Sequence, residues 1–103
     1  RRSDRRPQQG PGMASITQLH TYGRQLQLAG KQDEAFAVFR SNIKKDPNHW
    51  LVRTEAARLA VAKGDYDGAT KEMKLALAAA PDPAKPTVEG LVKRLEAKQD
   101  INK

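Results

Sequence analysis

Three cationic residues recur at nearly regular spacing along the chain. Arg24 and Arg58 lie 34 residues apart, and Lys93 follows 35 residues later. If the chain repeats with this period, the three side chains form one row, and guanidinium and ammonium groups bind carboxylates through charge-assisted hydrogen bonds. Such a row favours an acidic peptide or a C-terminal carboxylate as ligand. The alternative is that these are ordinary solvated charges, with Arg58 pairing with Glu55 or Glu89.

Residue types that support metal binding or catalysis are few. The two histidines, His20 and His49, lie 29 residues apart with no acidic or cysteine partner at metal-ligand spacing, and the chain has no cysteine. The sequence also lacks a glycine-rich phosphate loop, a nucleophile elbow and a recurring pair of carboxylates. We therefore expect no enzyme activity, metal or cofactor, with His20 as a binding or packing residue and His49 in a turn.

The net charge of +7 is unevenly distributed. Residues 1–14 carry four arginines against one aspartate, or +3, and the rest carries 15 lysines and arginines against 11 acidic residues, or +4. The first segment has little to bury, which favours a disordered basic arm or linker. A phosphate-binding arm is the alternative, but aromatic residues make up only 5% of the chain, which argues against nucleic acid as partner. No apolar run approaches the ~20 residues that span a bilayer.

A period of 34 residues runs through most of the chain. At this offset small residues recur as small residues and large apolar residues recur as apolar ones. The pairs are Gly30 and Gly64, Ala35 and Ala69, Phe39 and Met73, Ile43 and Leu77, and Pro47 and Pro81. A fixed period of this length is typical of repeat proteins, in which each unit stacks on the next.

Each unit is predicted to form two helices joined by a turn. Gly30 and Gly64 stand where a helix C-terminus favours positive φ, and Pro47 and Pro81 stand where a helix must end. Carboxylates near the start of the second helix of each unit can satisfy free N–H groups, and these are Asp33 and Asp65. Helices are therefore expected near 15–29, 33–45, 49–63 and 67–80.

A fifth helix is predicted at about 86–99. Val88, Leu91, Val92 and Leu95 recur at helical spacing, while the opposite face is charged. A last helix that is apolar on one side and charged on the other closes a helical stack. The expected fold is therefore all-α: an α-solenoid fragment of five helices within residues 15–103, with one hairpin repeat at 16–49, a second at 50–83, and the capping helix.

These residues resemble the tetratricopeptide repeat (TPR) family, whose unit is a helix–turn–helix of 34 residues. The resemblance covers about residues 16–81, and the last helix resembles the family's solvating helix. The residues at structural positions of the repeat are Leu19, Tyr22, Gly23, Leu26, Ala35, Phe39, Pro47, Ala57, Ala69, Met73 and Pro81. The sequence departs from the pattern at Asn42, Arg53 and Ala56. The resemblance implies that Tyr22 and Phe39 are core residues, and Trp50 is expected to pack at the junction of the two units.

The resemblance also implies a concave groove lined by the first helix of each unit. The side chains expected there are Thr17, His20, Arg24 and Gln27, then Leu51, Thr54, Arg58 and Val61, and from the last helix Glu89, Lys93 and Glu96. The cation row would supply polarity and Leu51 and Val61 apolar contact, so a protein or peptide partner of acidic character is expected. The Lys/Asn clamp of chaperone-binding members is absent, and Glu55 would repel a carboxylate.

A narrower resemblance concerns the C-terminal TPR region of bacterial, exported proteins that carry an N-terminal domain of unknown function. Three stretches carry it, "LHTYGRQLQLAGKQDEAFAVFRSN", "KGDYDGA" and "LVKRLEAKQDIN". It implies a periplasmic or exported protein, as against a cytoplasmic one, with residues 1–14 as the linker to a missing domain. The module would then dock onto that domain or form a homodimer, and nucleic-acid binding through the arm is the remaining alternative.

Overall fold

A computed structural model describes residues 15–102, so the basic arm predicted at 1–14 lies outside the described residues. The described part forms five α-helices and no strand, which confirms the all-α fold. The helices are α1 (Ile16–Leu28), α2 (Gln32–Lys45), α3 (Trp50–Ala62), α4 (Tyr66–Ala79) and α5 (Lys85–Glu96), with one 3-10 turn at Asp82–Ala84 before α5. Each end of the first four helices lies within one residue of its predicted position.

The turns between paired helices follow from the glycines. Gly30 and Gly64 both have a φ of 83°, which confirms the predicted left-handed positions. In the first turn the Lys31 amide donates to the Leu26 carbonyl at 2.8 Å, and in the second the Asp65 amide donates to the Ala60 carbonyl at 2.9 Å. The same backbone conformation therefore closes α1 and α3 and reverses the chain into α2 and α4.

The helix starts are capped by side chains. Ser15 and Gln18 form a reciprocal capping box at α1, with N–O distances of 3.1 and 2.9 Å. His49 caps α3 by accepting from the Leu51 amide at 3.1 Å, and Asp65 caps α4 by accepting from the Gly68 amide at 2.9 Å. Asp33 lies in the first turn of α2, whose own cap residue makes no side-chain hydrogen bond.

Successive helices pack on each other, and α1 also contacts α3. Of the structural repeat residues, Gly23, Ala35, Phe39, Ala57, Ala69 and Met73 are buried, Leu19 and Leu26 are half-buried, and Pro47 and Pro81 are exposed in turns. The prediction that Tyr22 is a core residue is wrong, since 52% of it is exposed. Among the described helices α1 contacts only α2 and α3.

The tightest approach between α1 and α2 is at Gly23. A Cβ added there would lie 2.5 Å from Cε1 of Phe39, a side chain that is fully buried and cannot move aside easily. We expect Gly23→Ala to lower the free energy of unfolding by about 1–3 kcal/mol through overpacking, although alanine is the better helix former. Urea denaturation followed by circular dichroism measures this change.

Gly90 on α5 provides the matched control. It is exposed, and a Cβ there meets nothing within 4 Å. Gly90→Ala should therefore raise the free energy of unfolding by about 0.5–1 kcal/mol. Equal effects of the two substitutions would contradict the close approach at Gly23.

Candidate functional site

A pocket of about 240 Å³ opens between α1, α3 and α5, and we call it the α1–α3–α5 pocket. Its walls are mostly apolar, with a few polar groups among them. The lining residues are His20 from α1, Trp50, Leu51, Thr54 and Arg58 from α3, Ala84 from the 3-10 turn, and Thr87, Val88 and Leu91 from α5. Because these residues recur every three or four positions, one face of α3 and one face of α5 meet here.

The predicted groove residues divide between this pocket and other places. His20, Leu51, Thr54 and Arg58 line the pocket. Val61 and Gln27 are buried, Arg24 is half-buried, and the exposed members are Thr17, Glu89, Lys93 and Glu96. Val61 belongs to the hydrophobic core, where it packs with Ala57 and Met73. The predicted set thus includes the floor of the pocket and misses its α5 wall.

A larger depression of about 440 Å³ lies between α4 and α5. Lysines and acidic side chains dominate its rim, including Lys71, Lys74 and Glu96, and Lys74 forms an exposed ion pair with Glu96 at 3.5 Å. Exposed pairs of this kind contribute little binding energy. We therefore place the candidate site in the smaller α1–α3–α5 pocket, where apolar walls surround a few fixed polar groups.

A buried polar network lies beneath the pocket. Glu55 is completely buried, and its Oε2 lies 2.7 Å from Nδ1 of His20. The Nδ2 of Asn42, itself 1% exposed, donates to both carboxylate oxygens at 3.2 Å. Nδ1 of His20 is thus engaged by the Glu55 carboxyl group, whereas the ring's Nε2 has no hydrogen-bond partner among residues 15–102. Glu55 therefore orients His20 from below.

Arg58 is buried beside this network, with 6% of the residue exposed. Its guanidinium donates to the carbonyl of Ile101 in the C-terminal segment, and its Nε has no partner among the described residues. Burial, followed by the nearby charges of Arg24 and Arg94, lowers the pKa of Arg58 to about 10, although the Glu55 and Asp100 charges act in the opposite direction. Arg58 is thus a fixed internal cation.

The predicted cation row is therefore brought together only in part. Arg24 lies close enough to Arg58 to lower its pKa, and burial lowers the pKa of Arg24 itself. The Arg24 guanidinium donates to Oε1 of Gln27. Lys93 is exposed on α5 and does not line the pocket. The surface open to an anion consists of Lys93 and part of Arg24, whereas Arg58 is already bonded within the chain.

Besides the α5 wall of the pocket, two features of the site were not predicted from the sequence. One is Asn42, whose departure from the repeat pattern was the available indication that a buried polar partner is needed at that position. The other is the return of residues 100–102 onto α1 and α3, which the isolated aliphatic Ile101 in a polar tail could have indicated.

Residues 15–102 contain neither a metal-binding cluster nor a helix that could span a membrane. No group of three or more His, Asp or Glu side chains in that part of the chain could hold a metal ion. None of its helices is both long and apolar enough to cross a membrane.

The repeat was also compared with known proteins and protein families. The chain matches no curated protein and no solved structure. Residues 26–95, which include most of both hairpins and nearly all of α5, match the family model for the tetratricopeptide repeat. With the glycine-closed hairpins and their stacking as described above, this match shows that the chain belongs to the tetratricopeptide repeat family.

Proposed function

We propose that the α1–α3–α5 pocket binds a peptide segment of another protein, with a bulky apolar side chain of that segment inserted into it. Tetratricopeptide repeats generally mediate protein–protein interaction and are typically non-catalytic scaffolds. The observation that supports the pocket is its lining, in which the apolar side chains of Leu51, Val88 and Leu91 occur together with the imidazole of His20. At about 240 Å³ it is smaller than the roughly 300–1,000 Å³ of small-molecule sites, which favours one side chain over a cofactor.

Thr87→Arg tests the pocket. Thr87 is exposed and lines the rim, so an arginine there obstructs the entrance without disturbing the core. We expect it to weaken peptide binding about ten-fold or more, the effect of losing one anchor side chain. The measurement is an NMR titration of the isotope-labelled chain with acidic and neutral peptides that each carry one central Leu, Phe or Tyr.

Gly90→Arg is the control, because Gly90 lies on the same helix, is exposed, does not line the pocket and acquires the same charge. Its affinity for the peptides should stay close to that of the unchanged chain. If both arginine variants bind as the unchanged chain does, or if none of the peptides shifts the resonances of Leu51 and Leu91, the pocket is not the binding site.

An acidic partner is a finer proposal that rests on Lys93 and Arg24. If the partner is acidic, the preference for acidic over neutral peptides declines as salt is added, because exposed charges are screened.

The narrower assignment, to an exported bacterial protein with an N-terminal domain, also stays a proposal, and so does nucleic-acid binding through residues 1–14. Deleting that arm would abolish nucleic-acid binding and leave peptide binding unchanged.

Homodimerisation or docking to another domain is a second candidate function, and a specific observation favours it. Leu28 is 80% exposed and Tyr22 is 52% exposed on α1. Exposed apolar side chains on the first described helix of a repeat array favour association with another unit. Sedimentation equilibrium over a range of protein concentrations tests the homodimer, because a chain that does not self-associate keeps a constant mass.

A further inference from the structure

The chain reverses direction after α5 and returns across the other helices. α5 ends at Glu96, before the predicted end near 99, and Lys98 adopts a left-handed φ of 58°. The Gln99 amide donates back to the Arg94 carbonyl at 2.9 Å, which fixes the reversal. Ile101, three residues beyond Lys98, is 2% exposed and belongs to the hydrophobic core. We call Asp100–Asn102 the docked segment.

Polar side chains from three helices hold the docked segment. Arg58 of α3 donates to the Ile101 carbonyl, and Arg94 of α5 donates to the Asp100 carbonyl at 3.1 Å. Gln27 of α1 donates to the side-chain oxygen of Asn102 at 2.9 Å. The side-chain Nδ2 of Asn102 in turn donates to the main-chain carbonyl of Arg58 at 2.9 Å. Gln27 is 9% exposed, so it is committed to this contact together with its hydrogen bond to Gln32.

These contacts have the chemistry of peptide recognition. Two main-chain carbonyls of the docked segment accept hydrogen bonds from guanidinium groups. The side-chain amide of Asn102 accepts one hydrogen bond through its oxygen and donates one through its nitrogen, and the side chain of Ile101 enters the core. Main-chain contacts give affinity, while the pockets for the aliphatic and amide groups give specificity. Arg58 also lines the α1–α3–α5 pocket, so the two binding regions adjoin.

We propose that Gln27, Arg58 and Arg94 form a second peptide subsite, occupied within the chain by Asp100–Asn102. The same subsite takes an extended segment of another protein with an acidic, an aliphatic and an asparagine residue in that order. None of the hydrogen bonds that hold the docked segment comes from Thr87, Val88 or Leu91, although Arg58 lines the pocket as well. An incoming segment must displace the docked one.

Displacement is feasible because the docked segment is only three residues long. Ordering its three residues costs conformational entropy, which opposes docking. Its tether nevertheless gives it a high effective concentration, so a free peptide competes poorly while the docked segment is intact. Releasing the docked segment should therefore reveal the subsite.

The test uses the full chain with Ile101→Gly and Asn102→Gly, and a free peptide of residues 97–102 as probe. We expect the peptide to bind this variant about ten-fold more tightly than it binds the unchanged chain, since it no longer competes with a tethered copy. The NMR shifts should fall on Gln27, Arg58 and Arg94. A control peptide with serine in place of the isoleucine should not bind, and adding Thr87→Arg should change nothing.

Equal affinity of the peptide for the variant and the unchanged chain overturns the proposal, as does equal binding of the two peptides. If the double variant does not fold, Asn102→Ala replaces it. That variant keeps Ile101 in the core and loses the contacts with Gln27 and Arg58, and the peptide must still bind it more tightly than the unchanged chain. Sensitivity to Thr87→Arg would instead assign any binding to the pocket.

Discussion

Replacing Glu55 with alanine is expected to lower the free energy of unfolding by about 2–6 kcal/mol, because two polar side chains each lose a hydrogen-bond partner at about 1–3 kcal/mol. The carboxyl group is completely buried and forms hydrogen bonds with both His20 and Asn42. Without it, the amide of Asn42 has no acceptor and the imidazole loses the group that orients it. A cavity also remains in the middle of α3. Urea denaturation measures the loss.

Glu72 gives the matched control for this substitution. It pairs with Arg53 at 3.2 Å, but both side chains are partly exposed, so Glu72→Ala should change stability by less than about 1 kcal/mol. A cycle with His20→Ala then isolates the coupling between His20 and Glu55, which is expected at about 0.5–3 kcal/mol for groups in direct contact. If Glu55→Ala lowers the free energy of unfolding no more than Glu72→Ala does, the buried network contributes no more to stability than an exposed ion pair.

Replacing Phe39 with alanine is expected to lower the free energy of unfolding by about 3–5 kcal/mol. The ring is completely buried, fills the space that Gly23 leaves open, and stacks on His20 with ring centroids 6.3 Å apart. Its removal therefore empties the α1–α2 interface and loosens the histidine of the pocket. Small domains have only about 5–15 kcal/mol of total stability, so the variant should be measured at low temperature with a stabilising osmolyte.

Phe36 is the control, because it has the same ring on the same helix but is only half-buried. Phe36→Ala should destabilise the chain clearly less than Phe39→Ala does, since less apolar surface is lost from the interior. If the two alanine variants unfold at the same urea concentration, the packing of Phe39 against Gly23 is not the main contact between α1 and α2.

Features that depend on the local backbone were predictable from the sequence. Gly30 and Gly64 could be assigned to left-handed turns because only glycine takes that conformation freely, and Pro47 and Pro81 limit where α2 and α4 can extend. The 34-residue period then relates one hairpin to the other. These properties belong to single residues and their spacing, so they hold whatever the detailed packing is.

Features that depend on contacts between distant side chains were not predictable. Glu55 is 35 residues from His20, Arg58 is 43 from Ile101, and Gln27 is 75 from Asn102. A helical wheel places Arg58 on the α3 face toward α1 and α5, but it does not show that a carbonyl of the same chain meets the guanidinium there. That contact with the Ile101 carbonyl makes Arg58 a buried structural cation instead of a solvated one that could bind a ligand.

The contact between Gln27 and Asn102 also has a consequence for how the molecule folds. Repeat arrays usually behave as one-dimensional systems, in which each unit touches its neighbours and the ends fray independently. Here a hydrogen bond joins the first described helix to the end of the described chain, and Arg58 and Arg94 bond the same segment on the way. While the docked segment is in place, this link couples the two hairpins, so the intact array is expected to unfold in a single cooperative transition, and the long loop it closes slows folding.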